Sequence, residues 1–322
     1  MQARLSGERH VIERDSPLYP ALLRDLDGAP DEIYVLGNPE ALARESVSII
    51  GARRATPYGI ACAQLAARVA AEFDLQVVSG AAIGCDQAAQ REALARGACS
   101  VAVLGGGANV VYPSNAEDLL RDILATDGAL LSLSRWDAPP LRHTFVRRNP
   151  VIAALSRALV ICEAGVPSGT FSTAEAAERI GRSVLVFPGS FFSPNSRGSN
   201  FLLASSPTFM PLWDEDSLRM ATSTIYERLA YASPPGGRRP LTGEAQGLDG
   251  LPAQVFDALV ASPESPESLA AALGTTPVAT MRALGDLVAR GLVERLMDGR
   301  YSPTQSAFAS ARGRGRQRGS GE

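Results

Sequence analysis

Short apolar runs that stop at glycine or serine recur along this chain, each followed by a helical pattern. The runs are VSIIG (47–51), LQVVSG (75–80), SVAVLGGG (100–107), GALLS (128–132), ALVICEAG (158–165) and SVLVFPG (183–189). Apolar residues fall at helical spacing near 58–73, 85–96, 114–125 and 172–180. Runs that are apolar at nearly every position suit strands covered on both faces. Their alternation with helices predicts an α/β fold, a parallel sheet with helices on both faces. Ligands of such sheets bind at the carboxyl ends of the strands, where these glycine- and serine-rich loops gather.

At 322 residues the chain is long enough for one large domain and a smaller one. Residues 1–45 read as a short N-terminal segment and 46–232 as the domain that carries this sheet. SPPGGRRPLTGEAQGLDG (233–250) reads as a linker. Over 251–303 a helix, a second helix with a Gly-Thr turn, a third helix and a glycine-centred hairpin form a winged helix-turn-helix pattern. The arginine-glycine tail, 304–322, reads as disordered.

Composition narrows the chemistry. No apolar run reaches the roughly 20 residues of a membrane span, and MQARLSGERHVIERDSP lacks the apolar stretch of a secretory signal. Cys62, Cys85, Cys99 and Cys162 form no paired motif, which fits a reducing cytoplasm and argues against a zinc site. His10 and His143 are the only histidines, so metal or triad chemistry is poorly supplied. No metal, cofactor or catalytic residue is expected. The net charge of −3 does not announce a polyanion partner, but all 31 basic residues are arginines, the side chain suited to bidentate phosphate contacts.

Phe145-Val146-Arg147-Arg148-Asn149-Pro150 places two guanidinium groups and an amide at what reads as a helix start, an arrangement suited to phosphate. Arg53 and Arg54 follow the first strand, Gly80 the second and Gly106 the third. Ser168, Gly169 and Thr170 supply hydroxyl and N–H groups before a further helix, with Ser172 or Thr173 as its expected cap. Arg197 sits in the loop after the last strand. No loop matches the dinucleotide fingerprint, and a Walker loop would need a lysine. Asp86, Glu163 and Glu175 also lie near strand ends, where they suit caps and arginine pairs better than paired-carboxylate catalysis.

IGARRATPYG, VVSGAAIGCDQAA, VAVLGGGANVVYPSN, FVRRNPVIAALSRALVICEAG, SGTFSTAEAAERIGRSVLVFPG and SRGSN resemble, in order and spacing, the bacterial DNA-processing protein A (DprA, also called Smf) family over roughly residues 17–210. The resemblance implies that the parallel sheet belongs to an extended Rossmann-like domain, in a cytoplasmic homodimer that binds single-stranded DNA without sequence preference. It also implies a protein that protects that DNA, loads the RecA recombinase during natural transformation and recombination, and is not an enzyme. DNA-binding residues would then fall at Arg53 and at Arg147, Arg148 and Asn149. This chain departs from the family pattern at Ala52, Ile83, Cys85, Gln90, Val146, Pro150 and Glu175, losing a charge at Ile83 and reversing one at Glu175.

An alternative reading is a nucleotide-binding protein or nucleoside-monophosphate phosphoribohydrolase of the lysine-decarboxylase-like Rossmann group, in which Ser168, Gly169, Thr170 and Glu175 would form the site. A third reading gives DNA contact to the winged helix alone. Its charge opposes that, because Asp257, Glu264, Glu267, Asp286, Glu294 and Asp298 outnumber Arg282, Arg290, Arg295 and Arg300.

Overall fold

In a computed structural model, the described residues are 3–227, 248, 250–261, 263–296, 299–304 and 307. Nearly all of the expected linker and tail lies outside them, as do residues 228–232. The chain divides into two compact units, the larger built on a sheet and the smaller mainly on residues from 248 onward, with the short segments Thr56–Ala61 and Ser190–Ser193 grouped with it. The larger unit begins with strands β1 (Arg9–Glu13), β2 (Glu32–Gly37) and β3 (Ser46–Ile50). Helix α1 (Pro57–Glu72), β4 (Gln76–Ser79), α2 (Cys85–Ala95), β5 (Ser100–Leu104), α3 (Glu117–Ala125) and β6 (Ala129–Ser132) follow. Then come α4 (Arg142–Ala154), β7 (Ala158–Ile161), α5 (Thr170–Arg179), β8 (Ser183–Val186), α6 (Arg197–Ser205), β9 (Met210–Pro211) and α7 (Glu215–Tyr226).

The strands form one sheet in the order β1-β2-β6-β5-β4-β3-β7-β8-β9, parallel from β6 to β9. Every residue of β3, β4, β5, β6 and β7 is buried, as expected for strands covered on both sides. Adjacent residues face opposite layers. Val101 and Val103 pack with Val151 and Ile152 of α4 and Ala174 of α5, whereas Ala102 and Leu104 pack with Leu119, Leu120 and Ile123 of α3. The expected Rossmann-like sheet with helices on both faces is the fold observed.

The leading residues do more than precede this sheet. β2 pairs antiparallel with β6, and β1 pairs antiparallel with β2 in turn. Sequence order hides this pairing, because β2 reaches β6 across nearly a hundred intervening residues.

Helix α4 is tied down by buried serines. Ser48 donates to the Ile152 carbonyl at 2.6 Å and to Ser156 Oγ at 2.9 Å, and Ser46 donates to the Leu155 carbonyl at 2.9 Å. These carbonyls belong to the last turn of the helix, which has no backbone partners of its own. Hydroxyls in an otherwise apolar strand therefore set where α4 ends and how it is rotated over the sheet.

The smaller unit contains α8 (Gly250–Ala261), α9 (Pro266–Ala272) and α10 (Pro277–Ala289), then β10 (Val293–Arg295) paired antiparallel with β11 (Tyr301–Pro303). Ser265 and Thr276 accept from the backbone N–H groups of Ser268 and Ala279, capping α9 and α10. Val255, Phe256, Leu259, Leu269, Leu284 and Leu287 form its own core. No helix among the described residues is long and apolar enough to cross a membrane.

The serine tether gives a stability test. Ser48→Ala leaves the Ile152 carbonyl buried without that donor and is expected to lower urea-unfolding stability by about 1–3 kcal/mol. Val11→Ala, on exposed edge strand β1, is expected to stay within about 0.5 kcal/mol.

Candidate nucleic-acid interface

The strand order reverses about β3. From β3 the chain steps through β4 and β5 to one side, and it later adds β7 and β8 on the other. The loops after β3 and β7 therefore part, and a crevice opens at their carboxyl ends. A cleft of about 670 Å³ occupies this position. Ile50 to Arg54 line it from the β3 side, Ala82 and Asp86 from the β4 side, and Gly165 and Pro167 to Thr170 from the β7 side. Arg142, Phe145, Val146, Arg148 and Asn149 of α4 complete its lining. A concavity of similar size near Arg14 and Arg24 is less suitable, since Arg14 already pairs with Asp31 at 2.8 Å.

Arg148 lies at the base of the cleft and is 4% exposed. Its Nη2 donates to the Gly80 carbonyl at 3.2 Å, while Nε and Nη1 have no hydrogen-bond partner among the described residues. Asp86, 5% exposed, accepts from the N–H groups of Gly80 at 3.1 Å and Ala82 at 3.4 Å. Burial lowers the Arg148 pKa to about 10, with Asp86 opposing the shift and Arg53 adding to it. Burial likewise raises the Asp86 carboxyl above its ordinary value, against the pull of Arg148. Both charges thus pay for desolvation, and each limits the other's loss. Arg148 stays cationic at neutral pH.

Glycine is required at two points of the β4–α2 loop. A Cβ on Gly80 would overlap the Arg148 guanidinium, so any larger residue would displace that charge. Gly84 has φ +94°, which a side chain would strain, and it lies against the Ala52 and Arg53 carbonyls.

The rim is exposed and basic. Arg53, Arg54 and Arg142 have no carboxylate ion pair among the described residues, and the Arg53 guanidinium sits 5.4 Å from the Phe145 ring centroid. Asp86 is the one acidic residue among the residues lining the cleft. Asn149 bridges α4 to the first turn of α5, donating to Ser172 Oγ at 3.0 Å and to the Gly169 carbonyl at 3.4 Å. Ser168, just ahead of α5, accepts from the Thr170 N–H at 3.2 Å and donates to Thr170 Oγ1 at 2.9 Å. Neither Ser172 nor Thr173 is the expected cap, because α5 begins one turn earlier, at Thr170, with Gly169 in the cap position.

The structure brings Arg53, Arg54, Arg148, Asn149, Ser168, Gly169 and Thr170 into one cleft, with Gly80 directly behind Arg148. It separates three expected residues from them. Arg147 faces away and lines a smaller cavity with Asp27 and Arg179. Gly106 is buried beneath Ala138 and Pro140, so its bare backbone admits the segment that leads into α4. Arg197 is exposed at the start of α6 and does not line the cleft, although Asn195 does.

One expectation is corrected. Arg147, Arg148 and Asn149 do not stand at a helix N-terminus, because α4 starts at Arg142 and runs through Pro150. Proline reads as a first-turn residue, but here it lies in the interior and forgoes the bond to the Val146 carbonyl. The true start is marked by Thr144, whose hydroxyl accepts from the Leu141 N–H at 3.1 Å. The earlier start brings Arg142, which the sequence reading missed, into the cleft, and no residue pattern signals it, because Leu141 at the N-cap has no side-chain acceptor.

A sequence model described as DNA recombination-mediator protein A matches residues 10–217. The chain belongs to that family. Protein Smf of Escherichia coli is 34% identical over 194 residues, 60% of this chain and 52% of that protein. A putative DNA processing protein DprA of Mycobacterium tuberculosis is 32% identical over 299 residues, 92% of this chain and 74% of that one. The chain thus spans about half the length of the Escherichia coli relative. Among solved structures, DNA processing protein A of Streptococcus pneumoniae superposes with TM-score 0.61 at 29% identity, over 66% of this chain and 73% of that one. The Helicobacter pylori protein, described for its single-stranded DNA binding mode, superposes with TM-score 0.61 at 26% identity, over 69% of this chain and 98% of that one.

The Asp86 shift has a measurable consequence. The folded protein holds the Asp86 proton more tightly than the unfolded chain does, so its contribution to stability is present below the ordinary value of 3.8 and lost as pH rises through the folded value. The difference in urea-unfolding free energy between wild type and Asp86→Asn is therefore expected to shrink from pH ~4 to pH ~7. A difference that grows with pH would mean that the carboxyl is held below its ordinary value.

Proposed function

We propose that this protein binds single-stranded DNA in the strand-end cleft, without sequence preference and without chemical change to the strand. The observation that carries this reading is the imbalance of charge in one crevice, with Arg53, Arg54, Arg142 and Arg148 facing a single acid, Asp86. Exposed rim arginines suit a flexible polyanion, and the unpaired Nε and Nη1 of Arg148 offer donors at the floor. The single-stranded DNA binding mode described for the Helicobacter pylori relative supports the same ligand.

Within this reading the protein acts in the cytoplasm as a homodimer that protects single strands and passes them to the RecA recombinase during DNA uptake and recombination. Membership of the DNA recombination-mediator family supports that role. We read the three-helix unit with its hairpin as a winged helix, and its acidic balance suits contacts with protein better than with DNA.

The phosphoribohydrolase reading is less well supported. Glu175 is exposed on α5 and does not line the cleft. Asp86 is engaged with two N–H groups and shares its burial with Arg148, which leaves it poorly placed as a general base. Incubation with nucleoside monophosphates is expected to release no free base by chromatography; release abolished by Glu175→Ala would favour the enzyme.

Fluorescence anisotropy with an oligo-dT strand tests the binding reading. Affinity is expected to fall steeply between about 50 and 200 mM salt. Arg53→Ala with Arg142→Ala is expected to flatten the slope of log K against log salt by about 0.7 for each phosphate contact removed. A double variant that binds as wild type does, with the same slope, would place the DNA elsewhere.

A further inference from the structure

Arg53 does not stand alone at the rim. Its guanidinium lies over Phe145, and the Phe145 ring packs against Tyr112 with centroids 5.3 Å apart and planes tilted by 46°. The three side chains come from the ends of β3 and β5 and from α4, and they form a continuous stack leading out of the cleft. Phe145 is enclosed within it, since its ring also covers Gly105, where a Cβ would come within 2.6 Å. Tyr112 is the open end, 42% exposed, and its hydroxyl makes no hydrogen bond among the described residues.

The loop that carries Tyr112 is held in place. The Val111 N–H donates to the Ala3 carbonyl at 3.1 Å, and the Leu5 N–H donates to the Asn109 carbonyl at 2.8 Å. Beyond Tyr112, Asn115 accepts from Gln87 of α2 at 3.3 Å. An exposed tyrosine on a pinned loop, supported from behind by a second ring, is a rigid flat surface of low conformational cost. Its outer face is left exposed.

We propose that Tyr112 is a base-stacking platform, which receives a nucleobase of the strand whose phosphate is gripped at Arg53. This rests on the proposed binding of single-stranded DNA and adds the base-facing half of that site. Arginine and aromatic ring are neighbours in one stack, so backbone charge and base face are met side by side. Any base offers a π-face, so the contact is tolerant of sequence. Duplex DNA keeps its bases stacked within the helix and does not present them to such a surface, so the platform also favours single strands.

The test compares an oligo-dT strand with an abasic strand of equal length, for wild type, Tyr112→Ala and Tyr112→Phe. Tyr112→Ala is expected to weaken oligo-dT binding about tenfold and to leave abasic binding unchanged. Tyr112→Phe is expected to retain wild-type affinity for both. Tyr112→Trp supplies a second readout, because stacking is expected to quench its emission with oligo-dT and not with the abasic strand. Equal loss on both strands would indicate that Tyr112 only props Phe145 and Arg53, and would overturn the proposal. So would unchanged oligo-dT binding by Tyr112→Ala, or an unquenched tryptophan. In either case salt-sensitive wild-type binding would leave the cleft reading standing, whereas a wild type that binds neither strand would overturn both.

Discussion

A buried charge pair organises the strand-end cleft. Arg148 and Asp86 are both almost fully enclosed, and burial penalises both. Such a pair adds little net stability, but the loss of one partner strands the other. Its geometric effect is large. Asp86 gathers the N–H groups of Gly80 and Ala82, and Arg148 takes the Gly80 carbonyl from above. The loop after β4 is thereby folded around one carboxylate, and α4 is locked over it in a single rotation. Ser46 and Ser48 hold the far end of the same helix.

That rotation divides the helix. Arg148 points down, Arg142, Phe145 and Asn149 face the cleft, and Arg147 is carried to the other side. Adjacent arginines in the sequence thus have separate surroundings. The floor arginine is the organiser, already engaged with the loop beneath it, while the exposed guanidiniums of Arg53, Arg54 and Arg142 are free to meet a ligand. The division explains how the DNA recombination-mediator fold can present a basic crevice on a chain whose net charge is −3.

Much of this was legible in the sequence, for identifiable reasons. The strands from β3 to β8 announce themselves because burial on both faces demands uninterrupted apolar residues, and their glycine ends mark the ligand side. The antiparallel addition of β1 and β2 was not legible, since β1 reads Arg-His-Val-Ile-Glu, with only Ile12 buried. Pro150 misled the placement of α4, because local preference puts proline in a first turn, whereas packing against β3 carries the helix through it. Gly106 misled for a related reason. A glycine that admits a neighbouring backbone and one that admits a ligand look alike until the neighbour is seen. Arg148 is the sharpest case: nothing in Arg147-Arg148 distinguishes the buried charge from the exposed one, and only the rotation of α4 over Gly80 does so.

The claim that one buried pair sets the cleft is tested most directly by a double-mutant cycle in urea unfolding, with Arg148→Met, Asp86→Asn and the two combined. Each single change is expected to cost about 3 kcal/mol or more, because it leaves an uncompensated buried charge. The combined variant, with neither charge present, is expected to cost clearly less than the two losses added together. Losses that simply add would show that Arg148 and Asp86 act independently, which contradicts a cleft set by one buried pair.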